Sequence, residues 1–164
     1  MQFSKSIAIG LLTAGAGMWI APSSASGEAA DPFSGGSKSI ELDGIVTVRK
    51  VWGGRAQLEE IETDGPNGHW EGLTLFLYDP AAHQWRQSFV NSEQGVLAPP
   101  LVGSFKNGRG ALFASDTFKD RSILVRGVWS DIKSDSHHYE ESYSGDGGKT
   151  WMPAFIADLS REKP

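Results

Sequence analysis

Turn-forming residues punctuate this chain about every ten residues from position 43 onward, which leaves room for strands and little room for helices of three turns. The clearest unit is Tyr139 to Leu159, where two stretches containing aromatic and other apolar residues flank Ser144-Gly145-Asp146-Gly147-Gly148-Lys149-Thr150-Trp151. Glycines tolerate positive φ without a Cβ clash, and an aspartate hydrogen-bonds the backbone just beyond it. The stretch therefore predicts a β-hairpin with Gly148 at positive φ.

The same grammar runs through the preceding residues. Ser39 to Leu42 and Ile45 to Trp52 flank Asp43-Gly44, the two-residue signal for a type I′ hairpin. Gly53-Gly54 turns the chain into Arg55 to Thr63, where Ala56, Leu58 and Glu60 oppose Gln57, Glu59 and Ile61. Asp64 to Gly68 is a loop of turn formers leading into His69 to Tyr78. There Leu73, Leu75 and Leu77 share one face, and Trp70, Thr74, Phe76 and Tyr78 the other; apolar residues on both faces predict a central, doubly buried strand. Gln84 to Asn91 returns after Asp79-Pro80, with Trp85, Gln87 and Phe89 on one side. Beyond the loop Ser92 to Pro100 come Leu101 to Lys106, Gly110 to Phe118, Ser122 to Ser130, His137 to Tyr143 and Trp151 to Leu159, mostly joined by short turns.

About ten sequential antiparallel strands predict an all-β up-and-down meander. Such a sheet ends as a closed barrel or a sandwich, and closure is favoured because it removes edge strands and suits sequential hairpins. A small barrel of this kind is either filled by side chains or hollow enough for one small ligand.

The amino terminus has a different character. Lys5, the uncharged run Ile7 to Ala21, and small residues at Ser23 and Ala25 read as a secretory signal peptide over residues 1–25, with Gly27 and Ala29 offering a second cleavage point. The expected location is periplasmic or secreted. No apolar run is long enough for a comfortable membrane span. Residues 26–38, rich in Gly, Ser and Ala, form a flexible leader, and 39–164 the barrel domain. Cleavage after Ala25 leaves 139 residues; removing Lys5 takes 15 basic residues to 14 against 20 acidic ones, a net charge of −6. That balance argues against a nucleic-acid partner. With no cysteine in the chain, disulfides, thiol catalysis and thiolate metal sites are excluded.

Taken together, Trp52 to Ala56, Gly72 to Pro80, Trp85-Arg86-Gln87, Arg126 to Trp129 and Ser144 to Trp151 resemble a bacterial family of uncharacterised, often exported proteins with calycin, or lipocalin-like, barrels. The resemblance covers most of residues 45–160. It implies the closed barrel and carries no activity with it. Many members place a Trp-containing first strand where this chain has its leader.

Other motifs are weaker. Ser144-x-Asp146-x-Gly148-x-Thr150-Trp151 matches the Asp-box of sialidase-type propellers, but those folds repeat it over several blades, so a single copy reads as a hairpin tip. Gly147-Gly148-Lys149-Thr150 lacks the earlier glycine of a phosphate-binding loop, since position 143 is tyrosine. His137 and His138 point to opposite faces in regular β geometry and do not share a metal. The runs Glu59-Glu60-Ile61-Glu62 and Glu140-Glu141 read as solvated faces. No catalytic set, cofactor or metal is expected, and oligomeric state is left open.

Arg126 stands out because it lies between Leu124 and Val128 on one face of an apolar strand. Either that face is outward and the arginine snorkels, or the charge is inward and paired, with Glu141 or Tyr143 on the next strand as partner. The candidate ligand-binding set is Arg126, Glu141, Tyr143, Trp129 and Trp85. The leading expectation is a non-enzymatic exported barrel binding a small apolar or amphipathic molecule. Alternatives are a small hydrolase or isomerase using Arg126 with a cavity carboxylate such as Glu141, and a filled-barrel interaction module. A converging carboxyl and histidine inside would favour the enzyme; an aromatic cavity with one buried charge would favour the binding protein.

Overall fold

The computed structural model describes residues 2–4, 7–9, 40–66 and 68–161. In chain order the strands are β1 (Gln2–Ser4), β2 (Ile7–Ile9), β3 (Ile40–Leu42), β4 (Gly44–Val51), β5 (Ala56–Gly65) and β6 (Gly68–Asp79). They continue as β7 (Gln84–Asn91), β8 (Leu101–Lys106), β9 (Arg109–Phe118), β10 (Arg121–Ser130), β11 (Ser136–Ser144) and β12 (Met152–Ser160). A single 3₁₀ turn, Trp52–Gly54, is the only helical piece among the described residues. From β4 to β12 each strand pairs antiparallel with the next, a nine-strand meander.

The hairpins form where backbone chemistry permits reversal. Asn107 and Gly108 at φ 54° and 73°, and Lys119 and Asp120 at 49° and 61°, have the paired positive φ of type I′ turns. Gly148 adopts φ 90°, as expected for the last hairpin tip. Asp43-Gly44 is different. It makes no hairpin: β3 pairs with β2, β4 pairs with β5, and neither residue has positive φ. The chain runs through instead, because Gly44 pairs with Thr63 and the Thr63 Oγ1 hydroxyl donates to the Asp43 carbonyl at 2.7 Å.

Curling of the meander is seen in contacts between strands that are not neighbours. Phe76 on β6 packs edge-on to Trp129 on β10 at 5.7 Å between ring centres, and Gln87 Nε2 on β7 reaches Tyr139 Oη on β11 at 3.5 Å. The register shift between Glu141 and Ser142, where β12 carries Pro153, adds the local bend expected of a bulge. Inside the curl lies the core, built on Val46, Phe76, Leu112, Val125, Trp129 and Leu159.

One expectation changes here. β6 is not buried on both faces: Thr74 and Phe76 face the core, whereas Leu73 is 38% exposed on the convex side. One wall of a curled sheet has only one inside. At the amino terminus β1 pairs with β4, and β2 lies between β12 and β3. Both short strands fall within the stretch read as a signal peptide; the cleavage points and the leader 26–38 lie outside the described residues.

Candidate functional site

β5 has a polar inner face. Its Gln57, Glu59, Ile61 and Thr63 share one side, and the first three line the concave space. Leu58 and Glu60 therefore take the other side by alternation.

The concave space is a cavity of about 130 Å³ between the β4–β7 wall and the β10–β12 wall. Trp70, Phe76, Phe89, Trp129 and Phe155 provide much of its apolar lining. Gly72 makes this possible, since a Cβ there would lie 2.9 Å from both Trp70 and Phe89, whose rings stack at 6.2 Å. Gly127 does the same for the Tyr139 hydroxyl at 3.0 Å. The cavity shares Glu59, Phe76, Trp129 and His137 with a wider vestibule of about 400 Å³, which adds Gln57, Trp85, Phe105 and Ile132. Those residues stand at the starts of β5, β7 and β11 and the ends of β8 and β10, so the mouth is at the end of the sheet opposite the 145–151 turn.

Several polar side chains reach this interior. Glu59 Oε1 accepts from Gln57 Nε2 at 2.6 Å, and burial pushes its carboxyl up to about 7 despite that bond. Glu141 accepts from Tyr139 Oη at 3.2 Å and Tyr143 Oη at 3.0 Å; burial again raises its carboxyl, outweighing both hydroxyls. The tyrosines are pushed up as well, by burial first and then by Glu141. His137 is held below the usual imidazole range by burial and by His138. Gln87 is only 5% exposed, and its Oε1 has no hydrogen-bond partner among the described residues. A buried acceptor left unpaired is costly.

Of the residues singled out from sequence, the fold brings together Trp129, Glu141 and, through its hydroxyl, Tyr143, with Trp85 at the vestibule. Arg126 is not among them. It stands on the convex face, where Nη2 meets Glu140 Oε1 at 3.4 Å and the guanidinium lies over the Trp151 ring at 4.3 Å. Trp151 is held there by its Nε1–H bond to the Gly148 carbonyl at 3.1 Å and by edge contact with Phe113. The partner is thus Glu140, one residue from the expected Glu141, because alternation sends consecutive glutamates to opposite faces.

Sequence reasoning missed Glu59, Gln87 and His137 as cavity residues. The available signal was phase: Trp85, Gln87 and Phe89 share a face, so recognising that face as concave places Gln87 inside. His137 and His138 divide as alternation requires, His138 pairing outward with Asp158 at 2.8 Å. Among the described residues no group of three or more His, Asp or Glu side chains could hold a metal. No protein-family model and no curated protein matches this chain.

Proposed function

We propose that this chain is an exported, non-enzymatic, calycin-like barrel that takes up a small apolar or amphipathic molecule. The observation carrying the proposal is a hollow rather than filled interior. The cavity's volume is close to that of apolar protein cavities of about 150 Å³ that admit benzene-sized molecules, and the vestibule extends the available length. An apolar lining with a few placed polar groups suits a ligand with an apolar body and one polar end.

Support for ring closure is the pairing of β1 on β4 and of β2 on both β12 and β3. Export would remove these two strands, yet every described lining residue lies on β4 to β12 or, for Ile132, just after β10. The binding space therefore belongs to the part that is kept. Native mass spectrometry of protein purified from its own compartment is expected to show a retained small molecule. N-terminal sequencing of the same sample is expected to begin at Ser26 or Ala30, and a sequence beginning at Met1 in the exported fraction would overturn export. A protein that takes up no apolar probe would overturn the binding reading.

A second reading is favoured by one observation, that Glu59, His137 and Glu141 line a single cavity. A carboxyl titrating near neutrality is suited to moving a proton to and from a bound carbonyl compound. Deuterium appearing next to the carbonyl of a cavity-bound cyclic ketone in D₂O, and lost in Glu59→Gln, would establish that activity. Uptake without exchange returns the site to binding.

A further inference from the structure

We infer that the cavity selects an organic cation, an amphipathic amine or ammonium whose charged end sits among Glu59, Gln87 and Glu141. This rests on the binding reading above and names the class of ligand it takes.

Two carboxyl groups, Glu59 and Glu141, line the cavity together with His137, and no lysine or arginine is present among the described lining residues. The strongest candidate for a counter-charge, Arg126, is on the other face and engaged with Glu140 and Trp151. Among the described residues no group donates to the buried Gln87 Oε1. Glu141 receives one hydroxyl on each carboxylate oxygen, which leaves further acceptor capacity on both. An ammonium group brings several N–H donors and the missing positive charge at once.

The apolar part of the site points the same way. Trp129 lies against Tyr139 at 4.6 Å and Phe105 at 5.4 Å, so a continuous aromatic surface runs from the vestibule toward the carboxyls. Aromatic faces attract cations through their quadrupole, most strongly where water is excluded. An anionic ligand end would instead meet two carboxyl groups with no lysine or arginine beside them and with His137 held toward its neutral form by burial, and a buried like-charge arrangement is unfavourable.

Isothermal titration of the full chain at pH 8 with octylamine, octanol and octanoate separates the possibilities, because the three share a tail and differ in charge. Octylamine is expected to bind roughly tenfold or more tighter than octanol, with octanoate weakest. At pH 7, near the Glu59 titration point, octylamine binding should also release protons, seen as different heats in buffers of different ionisation enthalpy. Glu59→Gln and Glu141→Gln, checked for folding by circular dichroism, should each reduce the amine preference without abolishing octanol binding. If octanoate binds as tightly as octylamine, or all three bind alike, the cation assignment fails while the binding cavity stands. If none binds, the binding reading fails with it. Should either variant not fold, the ranking of probes on the unaltered chain decides.

Discussion

At Glu59, burial opposes ionisation and sets a pH dependence with a definite sign. Its folded-state carboxyl is raised from 4.5 to about 7, so the folded chain holds that proton more tightly than the unfolded chain. The contribution of Glu59 to stability is then fully present below pH 4.5 and is lost as pH rises through about 7. The window overlaps that of His137, whose lowered value acts with the opposite sign, while Glu141 on the same strand acts with the same sign as Glu59. The comparison must therefore be with Glu59→Gln. The variant is expected to gain on the unaltered protein by roughly 2 kcal/mol between pH 5 and pH 8 in urea titrations, allowing for partial solvation; a gap that does not widen would show Glu59 to be solvated. Arg126 is the contrasting residue. Arg126→Met removes a partly buried ion pair and a cation–π contact, so a loss of about 1 kcal/mol is expected with probe binding unchanged. Weakened binding in a folded variant would return Arg126 to the site.

Among the elements, β8 and β9 depend on the absence of a side chain at Gly103. A Cβ there would fall 2.0 Å from the Ala111 carbonyl oxygen and 2.8 Å from the Leu112 Cα, both backbone atoms of the paired strand. Neither can move without separating the ladder that holds Leu112, the fully buried residue of the core. Gly103→Ala is expected to destabilise by about 2 kcal/mol or more, within the upper range for overpacking, and thermal melting would measure it. A change below about 0.5 kcal/mol would mean that the strands separate easily there. The β11–β12 tip is held differently. Asp146 accepts from the Lys149 and Thr150 amides and the Thr150 and Ser144 hydroxyls, which keep its carboxyl well below the usual range. Ser144 Oγ in turn accepts from the Gly148 amide at 2.8 Å. The conspicuous motif is thus a self-contained turn, far from the mouth.

For the whole molecule, the outer edges of the meander, β4 and β12, are the point of interest. β1 and β2 pair there, and their removal would leave two long strands with unpaired edges. A chain beginning at Ser26 is expected to keep its β-sheet circular dichroism and its probe binding, since the described lining lies elsewhere, but to self-associate more strongly in sedimentation. Loss of cooperative unfolding in that shortened chain would show that the first strands are part of the folding unit.

Strand content, turn positions and the antiparallel meander were legible in the chain because they depend on local chemistry. Asn107-Gly108 and Lys119-Asp120 mark reversals by backbone preference alone, and Gly148 takes the conformation that glycine favours. Asp43-Gly44 shows where local reasoning stops, because the same pair passes straight through when Thr63 on a strand 20 residues away takes the Asp43 carbonyl. Period-two alternation likewise assigns residues to two faces without saying which is concave. Trp129 and Glu141 were recognised, but Arg126 attracted notice for being charged on an apolar strand and faces outward. Glu59, from a run resembling a solvated surface, faces in. Only the curl of the sheet, which brings β4–β7 against β10–β12, decides which face loses water, and that loss gives Glu59, Gln87 and Glu141 their chemistry.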